Sequence, residues 1–179
     1  MDAFNRLIGI HQDRVYNVAL RLMNDPEDAL DISQEALCAL FRKIQSFRGD
    51  ASLSTWLYRI TVNTAKNFWK MRERRGYYKT VSLDHPVNPH EEKSSPMEIA
   101  DSNPGPVQKT AGREMVSILE EKLGELSLEH REILVLRYTE GLSYEEIAEI
   151  LGDNLGTIKS RLNRARAELK DLMEPYMEL

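Results

Sequence analysis

"LGDNLGTIKSRLNRARAEL", Leu151 to Leu169, is the stretch on which the reading of this chain turns. Between Gly156 and Lys170 the sequence carries Lys159, Arg161, Arg164, Arg166 and, just past the stretch, Lys170 against one acid, Glu168, whereas the chain as a whole holds 24 Lys+Arg and 29 Asp+Glu. Leu155, Ile158, Leu162, Ala165 and Leu169 recur at intervals of three and four, which predicts a helix with that face inward. At about 100° per residue, Asp153, Thr157, Ser160 and Arg164 then point outward, with Lys159 and Arg161 on the flanks. Upstream, "SYEE" (143–146) is a capping box in which Ser143 caps and Glu146 reaches back. Tyr144, Ile147, Ala148 and Leu151 share a face of the helix it opens, and Gly152 ends that helix with a residue free to take positive φ. A small residue at Ala148, a turn glycine at Gly152 and an aliphatic lock at Ile158 have the spacing of a helix-turn-helix. An ordinary amphipathic helix would need none of the three. The outward set offers short hydroxyls for close approach and long cations for phosphates or guanine edges, which is DNA-reading chemistry.

The rest of the charge is divided. Residues 1–79 hold 13 basic and 9 acidic side chains, residues 80–112 hold 2 and 5, and residues 113–179 hold 9 and 15. A second basic cluster, Lys66, Lys70, Arg72, Arg74, Arg75 and Lys79 against Glu73, lies at the end of the first part. Two basic patches in an acidic chain suggest local phosphate contact, because binding follows the field at the contact surface. The split also suggests that the acidic half folds back on the basic half in the free protein, hiding both DNA surfaces.

With 179 residues, 41% hydrophobic and 30% charged, the chain is expected to be globular, as one domain or two small ones. The single cysteine, Cys38, excludes an internal disulfide or a Cys-rich zinc site, and its apolar helical context predicts a buried thiol. No signal sequence opens the chain and no apolar run spans a bilayer, so a cytoplasmic protein without membrane contact of its own is expected.

The periodicity is helical throughout. Helices are expected over about 3–23, from Asp25 and Pro26 through a face of Ile32, Ala36, Leu40, Ile44 and Phe47, and over about 53–74, where Trp56, Leu57, Ile60 and Phe68 complete one core. Residues 80–106 hold five prolines and little periodicity, and read as a flexible linker. His85 and His90 lie there without metal-ligand spacing and read as solvated. Helices over about 107–126 and 128–138 precede the helix-turn-helix. The fold class is therefore all-α: two small helical domains, 1–79 and 107–179, joined by the linker 80–106.

"EGLSYEEIAEILGDNLGTIKSRLNRARAEL" (140–169) strongly resembles the promoter-reading region 4 of bacterial sigma factors of the extracytoplasmic-function (ECF) group, group 4 of the sigma-70 family. "DISQEALCALFRKIQSFRGDASLSTWLYRITVNTAKNFWKMRERR" (31–75) resembles that group's region 2, which binds core RNA polymerase and the −10 element. The resemblance covers nearly all the chain outside the linker, in family order. It implies that Asp31, Gln34 and Glu35, matching a D-x-x-Q-E motif, dock on the clamp helices of the largest polymerase subunit. Leu37 and Phe41 would extend that contact, and region 4 would meet the flap. Leu30 departs from the family, which often has an acid there, and should soften core binding.

The stretch that opens and reads the −10 element is matched from Phe47 to Asn67. Separating base pairs forfeits about 1.4 kcal/mol of stacking per step, which a protein without ATP recovers by trapping bases. Phe47, Ser52, Ser54 and Asn63 are the candidates for holding an extruded base, and Arg59, Lys66 and Lys70 for tracking phosphates. Trp56 reads as core by its spacing with Leu57 and Ile60, with base contact the alternative. Thr157, Lys159, Ser160, Arg161 and Arg164 are the −35 candidates. The family resemblance further implies an anti-sigma factor as partner and a linker threaded through the polymerase's RNA path. No catalytic residue, metal or cofactor is expected, since no nucleophile–base pair, metal cluster or phosphate-cradling loop is present. The alternative is a helix-turn-helix regulator acting without replacing sigma, although the chain has no βαβ pattern for a receiver domain. An interaction protein that binds polymerase without reading DNA is a further rival.

Overall fold

The computed structural model describes residues 2–47, 49, 52–74, 76 and 106–177. The expected linker, except for Pro106, lies outside them, as do His85, His90, Arg75 and Lys79. Among the described residues there are α-helices and short tight turns but no strand: α1 (Asp2–Met23), α2 (Pro26–Lys43), α3 (Leu53–Arg74), α4 (Pro106–Glu125), α5 (Leu128–Leu134), α6 (Tyr144–Leu151) and α7 (Leu155–Met173).

The punctuation follows the local chemistry. α1 ends at Asn24, whose φ of 54° is one that asparagine tolerates better than most residues. Asp25 then caps α2, its carboxylate accepting from the Glu27 and Asp28 N–H groups at 2.9 and 3.0 Å, with Pro26 in the first turn. The helix expected to reach Phe47 stops at Lys43 and tightens into a 3₁₀ turn, Ile44–Ser46. Two groups draw it in: Ser46 Oγ donates to the Lys43 carbonyl at 2.7 Å, and the Phe47 N–H donates to that of Ile44 at 3.2 Å.

Ser127 caps α5, which is followed by a widened π turn, Val135–Thr139, rather than by ordinary helix to Tyr138. Residues 131–136 are all buried. A helix enclosed on every side is what this requires, and α5 lies between the two halves of the chain. The capping box is present in both directions: Glu146 Oε2 accepts from the Ser143 N–H at 2.8 Å and Ser143 Oγ from the Glu146 N–H at 3.1 Å. Gly152 takes φ 72° and its N–H bonds the Ala148 carbonyl at 2.9 Å. Ser143→Ala should cost about 1 kcal/mol, within the range for lost N-caps. Gly152→Ala should cost about 1–2 kcal/mol for a Cβ in the left-handed region. Urea denaturation followed by circular dichroism would read both.

Two expectations need correction. Cys38 is exposed. Ile32, Ala36 and Leu40 define the buried face of α2, and a residue two places from Ala36 sits about 200° away from it. Leu155 is 40% exposed, because it opens α7 before the partner helices cover that face, whereas Ile158 is fully buried.

The halves share a core. Val18, Leu22, Tyr58, Val62 and Ala65 from α1 and α3 join Ile133, Leu136, Ile147, Ile158 and Leu162 in one buried cluster. A second cluster, Val15, Ala36, Leu40, Leu57 and Ile60, belongs to the first half alone. The fold-back expected from charge is therefore present, but its substance is mainly apolar. It also leaves Lys159, Ser160 and Arg164 exposed, so the expected concealment of both DNA surfaces does not occur.

Candidate functional site

The helix-turn-helix is held rigidly. Asn154, which sequence reasoning missed, caps α7: its Oδ1 accepts from the Thr157 N–H at 2.9 Å and from the Thr157 hydroxyl at 3.2 Å. An Asn two residues after the turn glycine was the available signal. Beyond the cap, Lys159, Ser160 and Arg164 stand in solvent and Thr157 is half-buried. Ser160 Oγ donates to the Thr157 carbonyl at 3.0 Å, and Arg164 Nε reaches the Ser160 carbonyl at 3.4 Å. Arg161 differs: its side chain is largely covered, 2.9 Å from Asp153 Oδ2 and 3.9 Å from Glu132 Oε1. It braces the helix from behind while its neighbours face outward.

On α2, Asp31, Gln34 and Glu35 form one exposed stripe, and Arg42 pairs with Glu35 at 2.6 Å. Leu37 is half-buried against the first half's own cluster, and Phe41 is 58% exposed. Leu30 is also exposed and leaves an apolar spot beside the acidic stripe.

Between α2 and α3 runs an open groove of about 830 Å³, with Asp31 and Glu35 on one wall and Trp56, Arg59 and Asn63 on the other. Phe47 and Trp56 stack at its end, ring centroids 5.1 Å apart and tilted by 38°. Trp56 is half-buried against the core below, so core packing is met and one part of the ring system remains open. Ser52 is exposed and its Oγ accepts from the Thr55 N–H at 3.0 Å, which caps α3. Ser54 and Arg59 are half-buried, and Asn63 and Lys70 are exposed along α3. Lys66, on the same helix, is drawn instead to Glu132 of the second half, Nζ to Oε1 at 3.0 Å.

Glu132 and its neighbour Arg131 are the largest omissions of the sequence reading. Both are buried, and their position in "REILVL" (131–136), two charges opening an apolar run, was the signal. Burial pushes the Glu132 carboxyl above the usual carboxylate range, with Lys66 and Arg161 acting against that rise. Arg131 donates to the carbonyls of Leu22, Gly124 and Leu126 at 2.5, 2.5 and 2.9 Å, and lies over the Trp69 ring at 5.7 Å. Among the described residues, no group of three His, Cys, Asp or Glu is placed to hold a metal, and no helix is long and apolar enough to cross a membrane.

Comparison with known proteins agrees with both halves. The family profile for Sigma-70 region 2 matches residues 7–75, and that for Sigma-70 region 4 matches residues 117–169. The ECF RNA polymerase sigma-E factor of Haemophilus influenzae is 33% identical over 98% of this chain and 89% of its own length. The sigma-E factor of Escherichia coli K12 is 35% identical over 98% and 88%. Among solved structures, the sigma factor RpoE of Bartonella quintana, crystallised with the anti-sigma factor NepR, is 26% identical. It superposes with a TM-score of 0.67 over 97% of this chain and 98% of that one. The class is thus a promoter-directing transcription factor that carries sigma regions 2 and 4. The chain belongs to the ECF RNA polymerase sigma factors, a family of DNA-binding regulatory proteins.

Proposed function

We propose that residues 1–79 bind core polymerase and read and melt the −10 element, that residues 107–179 read the −35 element, and that residues 80–106 connect them. The observation that carries this reading is one chain with an exposed acidic stripe on α2 and a capped helix, α7, whose outward face is Lys159, Ser160 and Arg164. The stripe of Asp31, Gln34 and Glu35, with Leu37 and Phe41 beside it, is complementary to a basic coiled coil such as the polymerase clamp helices. Region 4 meets the flap.

At the −10 element Phe47, Ser52, Ser54 and Asn63 line the route of an extruded base. Trp56 walls it, and Arg59, Lys66 and Lys70 track the backbone. In the major groove, Thr157 and Ser160 approach closely while Lys159 and Arg164 take phosphate or guanine edges. Arg161, tied to Asp153, orients the helix and adds charge at its flank. The protein catalyses no reaction, works in the cytoplasm where polymerase is, and is restrained by an anti-sigma factor.

Transcription by purified bacterial core polymerase on sheared genomic DNA of the source organism tests the whole reading. Discrete new start sites sharing −10 and −35 elements are expected. Core binding without new starts would make the chain an interaction protein, and neither would return a helix-turn-helix regulator to first place.

A further inference from the structure

The outward face of α7 holds one polar residue to which no part has yet been given, Asn163. Ile158, Leu162 and Ala165 are buried and fix the inward side of the helix. At about 100° per residue, the line opposite them runs close to Ser160. On the same scale Arg164 stands about 40° to one side of Ser160 and Asn163 about 60° to the other, whereas Lys159 is about 100° away. Asn163 is therefore nearer the centre of the outward face than Lys159. It is exposed, and among the described residues its amide makes no hydrogen bond. Asn154 differs, because its oxygen is committed to the cap at Thr157.

The surroundings suit a short side chain. Gly156 and Ala167, both exposed, fall within about 40° of the Ser160 line. Small residues along the centre let the helix settle deep in a groove, which an amide on a single methylene needs if it is to touch a base edge. The longer Lys159 and Arg164, at the sides, reach outward from that line.

An asparagine presents an NH₂ donor and an oxygen acceptor side by side. In the major groove adenine alone offers the matching pair, N7 as acceptor and the N6 amino group as donor. Guanine shows two acceptors, cytosine one donor, and thymine one acceptor beside a methyl group. Against each of these, one end of the amide stays unpaired in the interface, which is costly.

We propose, on the basis of the −35 reading above, that Asn163 is a specificity-determining residue of that contact: its Nδ2 donates to N7 of an adenine and its Oδ1 accepts from the N6 amino group of the same base. The −35 element then contains an adenine at the position Asn163 faces.

The test uses holoenzyme assembled from purified core polymerase and the full chain, on a promoter recovered by the genomic transcription experiment. Its −35 base pairs are randomised and the bound fraction is sequenced. The wild type should favour adenine at one position by ~5- to 150-fold, the range for a bidentate base contact. Asn163→Ala should flatten that position alone. Asn163→Asp presents only acceptors, so the preference there should move from adenine to cytosine, whose N4 amino group donates. A merely structural role would produce neither the single-position loss nor the switch. Alanine is also the better helix former, so the melting temperature of Asn163→Ala should be at or above that of the wild type.

An adenine preference that survives Asn163→Ala would overturn the proposal. So would a loss equal at every sequence, as for a phosphate contact, or a wild type with no adenine-preferring position. Arg164→Ala in the same library separates this proposal from the reading beneath it. If Arg164→Ala changes the preference and Asn163→Ala does not, α7 still reads the groove and only the assignment of Asn163 fails. If neither variant changes it, the −35 reading fails and the adenine contact with it.

Discussion

Asp31→Arg lowers affinity for core polymerase by about 100-fold or more, because like charges brought together at an interface cost several kcal/mol. The residue is exposed on α2, so the substitution leaves folding intact. Helical content and melting temperature stay near wild type while fluorescence titration with labelled core shows the loss. Gln34→Ala acts in the same direction and less strongly, since it removes a hydrogen-bonding group without adding repulsion. Binding that survives Asp31→Arg would show that the α2 stripe does not face the clamp helices. The exposed Leu30 beside the stripe gives a useful control. An acid there, which would extend the negative stripe, should strengthen core binding rather than weaken it.

The second large effect is at Arg164. Arg164→Ala should cost about 1–3 kcal/mol at the −35 element, that is ~5–150-fold, and relax sequence preference at the position it reads. Core binding should not change, because Arg164 lies at the opposite end of the chain from α2 and projects into solvent. A phosphate-tracking residue behaves differently. Lys70→Ala should weaken binding across sequences and reduce the salt slope by about 1. Promoter titration of the assembled holoenzyme at several salt concentrations separates the two behaviours. Promoter affinity unaffected by Arg164→Ala would remove α7 from the DNA groove.

The site was legible to different depths in its different parts. The turn at Gly152, the capping box at Ser143 and the outward trio of Lys159, Ser160 and Arg164 follow from spacing, because a helix maps sequence distance onto direction. The α2 stripe was picked out by the resemblance of Asp31, Gln34 and Glu35 to a family motif, and their spacing of three and four puts them on one face. Arg161 shows where the method ends. Its angle on the helix placed it among the flanking cations, yet Asp153 across the turn and Glu132 on α5 draw it back, and the periodicity of α7 alone shows neither partner. Cys38 fails for a smaller reason: apolar neighbours along the chain are not neighbours around the helix.

By itself the sequence determined what is local: helices, caps, the breaking glycine, the faces that bury and the faces that meet solvent. These depend on interactions within a few residues, which one reading window contains. Tertiary structure decided how the halves meet. Charge alone predicted that they would attract, but an interface of Tyr58, Val62, Ile133 and Ile147 with Glu132 and Glu140 enclosed in it is a matter of shape. Burial of a charge is favourable only where a partner from the other half arrives at the right distance. That distance is a property of two folded surfaces and is written in neither segment alone.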